Sequence, residues 1–168
     1  MIQRNKNINW KKSREKFFLC YNLKKYLVEW DGFKVKYITG IHALNLNCAL
    51  ETPGDWHQSA LQWHAPRMRE TEGSLFGEYG IETNSNVPEH KGKFYTANHI
   101  RALLDLLEEK NFPTAQGMKE NYICNDKYTQ EIFQKVFQMK NLPNWQEISN
   151  FMGKEYMLEW LNFLRENQ

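Results

Sequence analysis

The sequence predicts an α+β fold, with a small antiparallel sheet in the N-terminal half packed by three or four C-terminal helices. Three observations carry this. Residues 26–37 alternate apolar and polar side chains about Asp31-Gly32. Residues 42–99 hold all five histidines, three of the five prolines and most of the glycines, a composition of shaped loops and short strands. Beyond residue 96 the apolar residues recur with helical periodicity.

Residues 1–24 read as a basic arm outside a single domain spanning 25–168. Residues 1–40 carry ten Lys/Arg against three Asp/Glu, and residues 41–168 carry twelve against seventeen. In the arm Lys11, Lys12, Arg14 and Lys16 interleave with Trp10, Phe17, Phe18 and Tyr21, a pattern that suits nucleic acid as well as a solvated tail. Next comes a hairpin: Tyr26–Trp30 and Phe33–Tyr37 flank Asp31-Gly32, which suits a two-residue type I′ turn. That register sets Val28 opposite Val35 and Glu29 opposite Lys34. Residues 38–50 suggest a short helix feeding a loop. Thr52-Pro53-Gly54-Asp55 reads as a type II turn. Residues 55–63 look extended, and residues 70–92 read as loops and short strands.

The helical part follows. Ile100, Leu103, Leu104 and Leu107 define one stripe, with Thr96 or Asn98 as N-cap and Pro113 beyond its end. Ile132, Phe133, Val136, Phe137 and Met139 define a second, opened by Asn125 or Asp126. Asn144 with Glu147 resembles a capping box opening a third. Gly153 is expected to interrupt that helix before Met157, Trp160, Leu161 and Leu164 resume the stripe.

Composition narrows the function classes. Apolar residues at 41% and charged residues at 25% fit a globular domain rather than a disordered chain. Aromatics at 14% exceed what a small core needs, so some rings should line a surface or pocket. Cys20, Cys48 and Cys124 are odd in number and widely spaced, which argues against a disulfide framework or a zinc ribbon. No long apolar run occurs, so neither signal peptide nor membrane span is expected, and a cytoplasmic location follows.

For chemistry, a strand at 55–63 would set Asp55, His57, Ser59, Leu61 and Trp63 on one face and His64 on the other. No metal site is therefore expected from His57 and His64. A carboxylate beside an imidazole is the pair a general base needs, so Asp55 and His57 are catalytic candidates, with Glu78 or Glu82 as second acid or metal ligand. Ser59 would lie about 13 Å from Asp55 and about 7 Å from His57 along the strand, too far for a local triad. Gly73-Ser74 begins like a nucleotidyltransferase signature but lacks the Asp-x-Asp that should follow, and no P-loop or GxGxxG is present. Gly73, Gly77 and Gly80 instead suit turns of positive φ, with Phe76, Tyr79 and Ile81 as anchors. No cofactor is implied.

Several phrases read together resemble a family of small uncharacterised bacterial proteins over roughly residues 33–165. They are His42-Ala43-Leu44-Asn45-Leu46, Gly54-Asp55-Trp56-His57, Ser74-Leu75-Phe76-Gly77-Glu78-Tyr79-Gly80-Ile81-Glu82, Asn98-His99-Ile100-Arg101-Ala102 and Phe151-Met152-Gly153-Lys154-Glu155. The resemblance implies a partner-binding role in mobile-element or toxin–antitoxin loci and brings no catalytic residue. The expectation is thus a non-enzymatic, antitoxin-like or inhibitor-like protein that binds another protein. Its surface would comprise Trp56, His57, Trp63, Phe76, Tyr79 and Glu82. The alternative is a hydrolase or transferase acting on nucleotide or nucleic acid through Asp55, His57 and Glu78.

Overall fold

The computed structural model describes residues 34–84 and 86–167. The basic arm and all of the 26–37 hairpin before Lys34 lie outside the described residues.

Four short strands form one sheet: β1 (Lys36–Ile38), β2 (Met68–Glu70), β3 (Ile81–Asn84) and β4 (Phe94–Ala97). Their order is β2-β1-β4-β3. β1 pairs antiparallel with β2, setting Tyr37 opposite Arg69, and β4 pairs antiparallel with β3. β1 and β4 run parallel, with Ile38 opposite Thr96. The architecture is α+β, but the sheet is mixed rather than antiparallel. Some fifty residues separate β1 from β4 in the chain, room for the crossover that parallel neighbours require.

Alternation along the strands splits the core in two. Tyr37 and Ala97 face the helices and join the main cluster, whereas Ile38 joins Leu46, Trp63 and Val87 on the other face. The helices are α1 (Gly40–Leu44), α2 (His99–Glu108), α3 (Phe112–Ala115), α4 (Thr129–Phe137), α5 (Trp145–Tyr156) and α6 (Leu158–Glu166). A π-helical turn, Met118–Ile123, lies between α3 and α4. Asn98 caps α2 by accepting the Arg101 N–H at 2.9 Å. Phe133 meets Tyr156, Trp160 and Phe163 at centroid distances of 5.0–5.3 Å, joining α4, α5 and α6.

Three local expectations change. Residues 55–63 form no strand; they turn through a 3-10 segment, Gln58–Ala60, because the Asp55 N–H bonds to Leu44 O rather than to a ladder. Asn144 and Glu147 make no capping box. The Asn144 amide instead donates to Leu107 O at 3.3 Å, and Glu147 pairs with Lys110 at 3.1 Å, so both hold the end of α2. α5 runs through Gly153 and stops at Met157 (φ 48, ψ −121). A single helical glycine costs only about 1 kcal/mol, whereas Tyr156 and Trp160 must both reach the same core from either side of the bend.

Candidate functional site

Every residue of α2 from His99 to Leu107 is buried, so the helix is central to the fold. Its polar members His99, Arg101 and Asp105 therefore need partners inside the protein. The 73–82 phrase supplies three of the partners of Arg101.

Arg101 is fully buried and every N–H of its guanidinium is matched. Nε donates to Asp105 at 2.9 Å, Nη1 to the carbonyls of Gly77 and Tyr79 at 2.8 Å each, and Nη2 to Tyr37 Oη at 2.6 Å and Ser74 Oγ at 2.8 Å. The 73–82 phrase is thus a loop wrapped round one guanidinium. Gly80 (φ 69) permits it, because a Cβ there would sit 2.7 Å from Arg101 Cβ. The carboxylate of Asp105 also accepts Tyr37 Oη at 2.9 Å and Thr39 Oγ1 at 2.6 Å, and Arg69 stands 3.2 Å away. Burial, with the Asp105 charge beside it, holds the Tyr37 hydroxyl well above the usual tyrosine range. Arg67 and Arg69 pair outward with Glu109 and Glu108, so three cations meet three carboxylates.

His99 is held by residues 46–54. Its Nε2 lies 2.8 Å from Leu46 O, and a carbonyl only accepts, so the proton sits on Nε2. Nδ1 lies 2.5 Å from the Thr52 hydroxyl. Gly54 (φ 62) passes directly over the ring, where a Cβ would approach His99 Cε1 to 2.6 Å. Cys48 Sγ lies 3.7 Å from the same Thr52 hydroxyl. Burial pushes the Cys48 thiol up, but hydrogen bonding and charge from His99 outweigh it and bring the thiol below its ordinary value.

The Cys48 loop is held by side chains from several directions. Gln58 donates to Asn45 O, Asn84 to Asn47 O and Tyr128 to Leu50 O, while Glu82 accepts the Ala49 N–H through both oxygens. Glu82 is accordingly a loop clamp.

The other predicted residues separate into surface and core. His57 Nε2 meets Asp55 Oδ1 at 3.0 Å, across a turn rather than along a strand face, and the His57 side chain is 77% exposed. Trp56 between them is 49% exposed. Trp63 is 2% exposed, donating to Gln58 O at 2.9 Å and meeting His42 edge-on, so it contributes to the core and not to a surface. Phe76 is buried against the Arg101 guanidinium. Tyr79 is partly buried and donates to Glu131 at 2.7 Å. Glu78 is exposed, and no described hydrogen bond or ion pair joins it to Asp55 or His57. Among the described residues no group of three His, Cys, Asp or Glu is placed to hold a metal ion.

The histidine concentration has a structural explanation. His42, His90 and His99 bond to backbone, at Arg67 N, Trp63 O and Leu46 O respectively, leaving His57 and His64 at the surface. Burial lowers the pKa of His42. Sequence reasoning missed two connected sets, Cys48 with Thr52 and His99, and Arg101 with Asp105. One signal pointed there: Arg101 and Asp105 stand i, i+4 inside an otherwise apolar helix. No protein-family model, curated protein or solved structure matches this chain. Among the described residues no helix is long and apolar enough to cross a membrane.

Proposed function

We propose that the chain is a non-enzymatic partner-binding protein of the bacterial cytoplasm, antitoxin-like or inhibitor-like, that contacts another protein through the Asp55-Trp56-His57 turn. One observation carries the reading: a half-exposed tryptophan and an open histidine stand on backbone tied into the core. Gly54 N–H bonds to Tyr122 O at 3.1 Å and Asp55 N–H to Leu44 O at 3.0 Å, and Gln58 grips Asn45 O. Such a turn loses little conformational freedom on binding, which favours affinity, and tryptophan leads the residue types that dominate interface energy.

The test is capture of a stoichiometric protein partner from the native host by the tagged full chain. Trp56→Ala should weaken that complex about 30-fold, as expected for an aromatic anchor worth about 2 kcal/mol, and shift Tm by no more than about 2 °C. Equal capture by the Trp56→Ala chain, or no partner at all, would overturn the proposal. The Asp55–His57 contact favours a second reading, a hydrolase or transferase acting on nucleotide or nucleic acid through a general-base pair. It requires turnover that Asp55→Asn abolishes.

A further inference from the structure

The C-terminal half contains a cleft that neither the clamped loops nor the Trp56 turn touches. One cavity of about 590 Å³ lies between the π-helical turn and the α5–α6 junction. A second of about 430 Å³ adjoins it, sharing Pro113, Gln116, Lys154 and Glu155 and adding Phe112 and Phe151. Each has the size of a small-ligand site. Irregular backbone lies beside the cleft: Gly117 (φ 83) opens the π-helical turn, Cys124 (φ 46) closes it, and Met157 (φ 48) stands at the rim. π-helical turns and strained non-glycine residues concentrate where proteins bind ligands.

The lining groups fall into those already paired and those left over. Glu155 accepts the N–H groups of Gly117 at 3.1 Å and Lys119 at 3.4 Å, and the Lys119 ammonium meets Glu159 at 2.6 Å. Five polar groups remain, two of them the side-chain amides of Gln116 and Asn121. Glu120 and Lys154 form no side-chain hydrogen bond or ion pair among the described residues. The Tyr156 hydroxyl is buried without a hydrogen-bond partner, in a residue only 2% exposed. An orphaned buried hydroxyl costs about 1–3 kcal/mol, and a ligand at the cleft removes that cost. Burial, with the carboxylates of Glu155, Glu159, Asp126 and Glu120 around it, keeps that hydroxyl protonated at neutral pH, so it is a donor.

We propose that this cleft binds a small zwitterion with an apolar side group, the chemistry of an aromatic or branched α-amino acid. Beside the two amides, the lining leaves unmatched one anion, one cation and one donor next to an apolar recess. The ligand's ammonium pairs with Glu120, and its carboxylate takes Lys154 and the Tyr156 hydroxyl. The side group enters the second cavity against Phe112 and Phe151. This site is independent of the Trp56 turn.

The test is calorimetric titration of the full chain with L-phenylalanine and L-leucine, alongside N-acetyl-L-phenylalanine, which lacks the cation, and L-phenylalaninamide, which lacks the anion. Saturable binding of either amino acid is expected, with each capped analogue at least about tenfold weaker, the effect of losing one charged contact. Glu120→Gln and Lys154→Met, both at exposed positions, should each weaken binding about tenfold with the fold retained. Tyr156→Phe should lower affinity while leaving Tm unchanged or raised, because it removes an orphaned group; a purely structural hydroxyl would leave affinity unmoved. No saturation with either amino acid up to about 20 mM would overturn the proposal, a weaker affinity than any built site of this size should show. Capped analogues that bind as well as L-phenylalanine, or an affinity untouched by Glu120→Gln and Lys154→Met, would also overturn it.

Discussion

Arg101→Met isolates what holds the 73–82 loop. The substitution keeps a long apolar stem but removes all five N–H donors. Removing one partner of a buried ion pair costs about 3–5 kcal/mol. Asp105, 1% exposed, is not wholly abandoned, because Arg69 stands 3.2 Å away and two hydroxyls still donate to it. That places the loss from the ion pair near the lower limit. The carbonyls of Gly77 and Tyr79 lie on a partly exposed loop where water can replace the arginine. The expected destabilisation is therefore about 3 kcal/mol, or a fall of roughly 6–12 °C in Tm at this chain length. Equilibrium urea unfolding should show a lower midpoint at unchanged slope, with faster proteolysis at residues 73–80. Arg101→Met with Asp105→Leu should recover part of the loss, since neither buried charge is then orphaned and Arg69 retains Glu108. A single variant within about 1 kcal/mol of the parent would refute the argument, as would a double variant no better than the single.

Other outcomes follow from the same contacts. Gly54→Ala forces a Cβ to 2.6 Å from the His99 ring at φ 62, so a loss of at least about 3 kcal/mol, or failure to fold, is expected in thermal unfolding. Gly73→Ala, at φ 73 but facing open space, should cost only about 1 kcal/mol. Because His99 brings the Cys48 thiol below its ordinary value, iodoacetamide should reach its half-maximal rate at Cys48 at lower pH in the folded chain than in urea. By linkage, folding gains stability as pH rises from the folded value of that thiol towards the unfolded one. Thr52→Val and His99→Gln should each move the alkylation midpoint upward; coincident profiles for folded and unfolded chain would refute the influence of His99 on the thiol. Trp63→Ala, which empties a buried site, should cost about 3–5 kcal/mol, in contrast with Trp56→Ala.

Much of the helical half was legible because helical period and caps are local. The stripe at Ile100, Leu103, Leu104 and Leu107 appears as read, and of the two cap candidates Asn98 caps the helix while Thr96 lies in β4; both features depend on residues within one turn of each other. Elements whose form depends on distant partners were not legible. Residues 55–63 carry the aromatic pattern of a strand, yet their backbone finds Leu44 and Tyr122 instead of a ladder. Asn144 and Glu147 have capping-box spacing, but the end of α2 competes for both side chains and wins them. Glu82 reads as a candidate acid and proves to clamp Ala49, thirty-three residues away.

The sequence by itself determined the α+β class, the main apolar stripes of the helices and the concentration of turn-forming residues at 42–99, because composition and periodicity act over a few neighbours. Only the tertiary structure decided what those residues hold. By burying α2 on all sides it placed His99, Arg101 and Asp105 where water cannot reach them, and unsolvated polar groups must take partners from whatever chain passes nearby. Gly54 and Gly80 are glycines because two loops pass too close to that helix for any side chain to intervene.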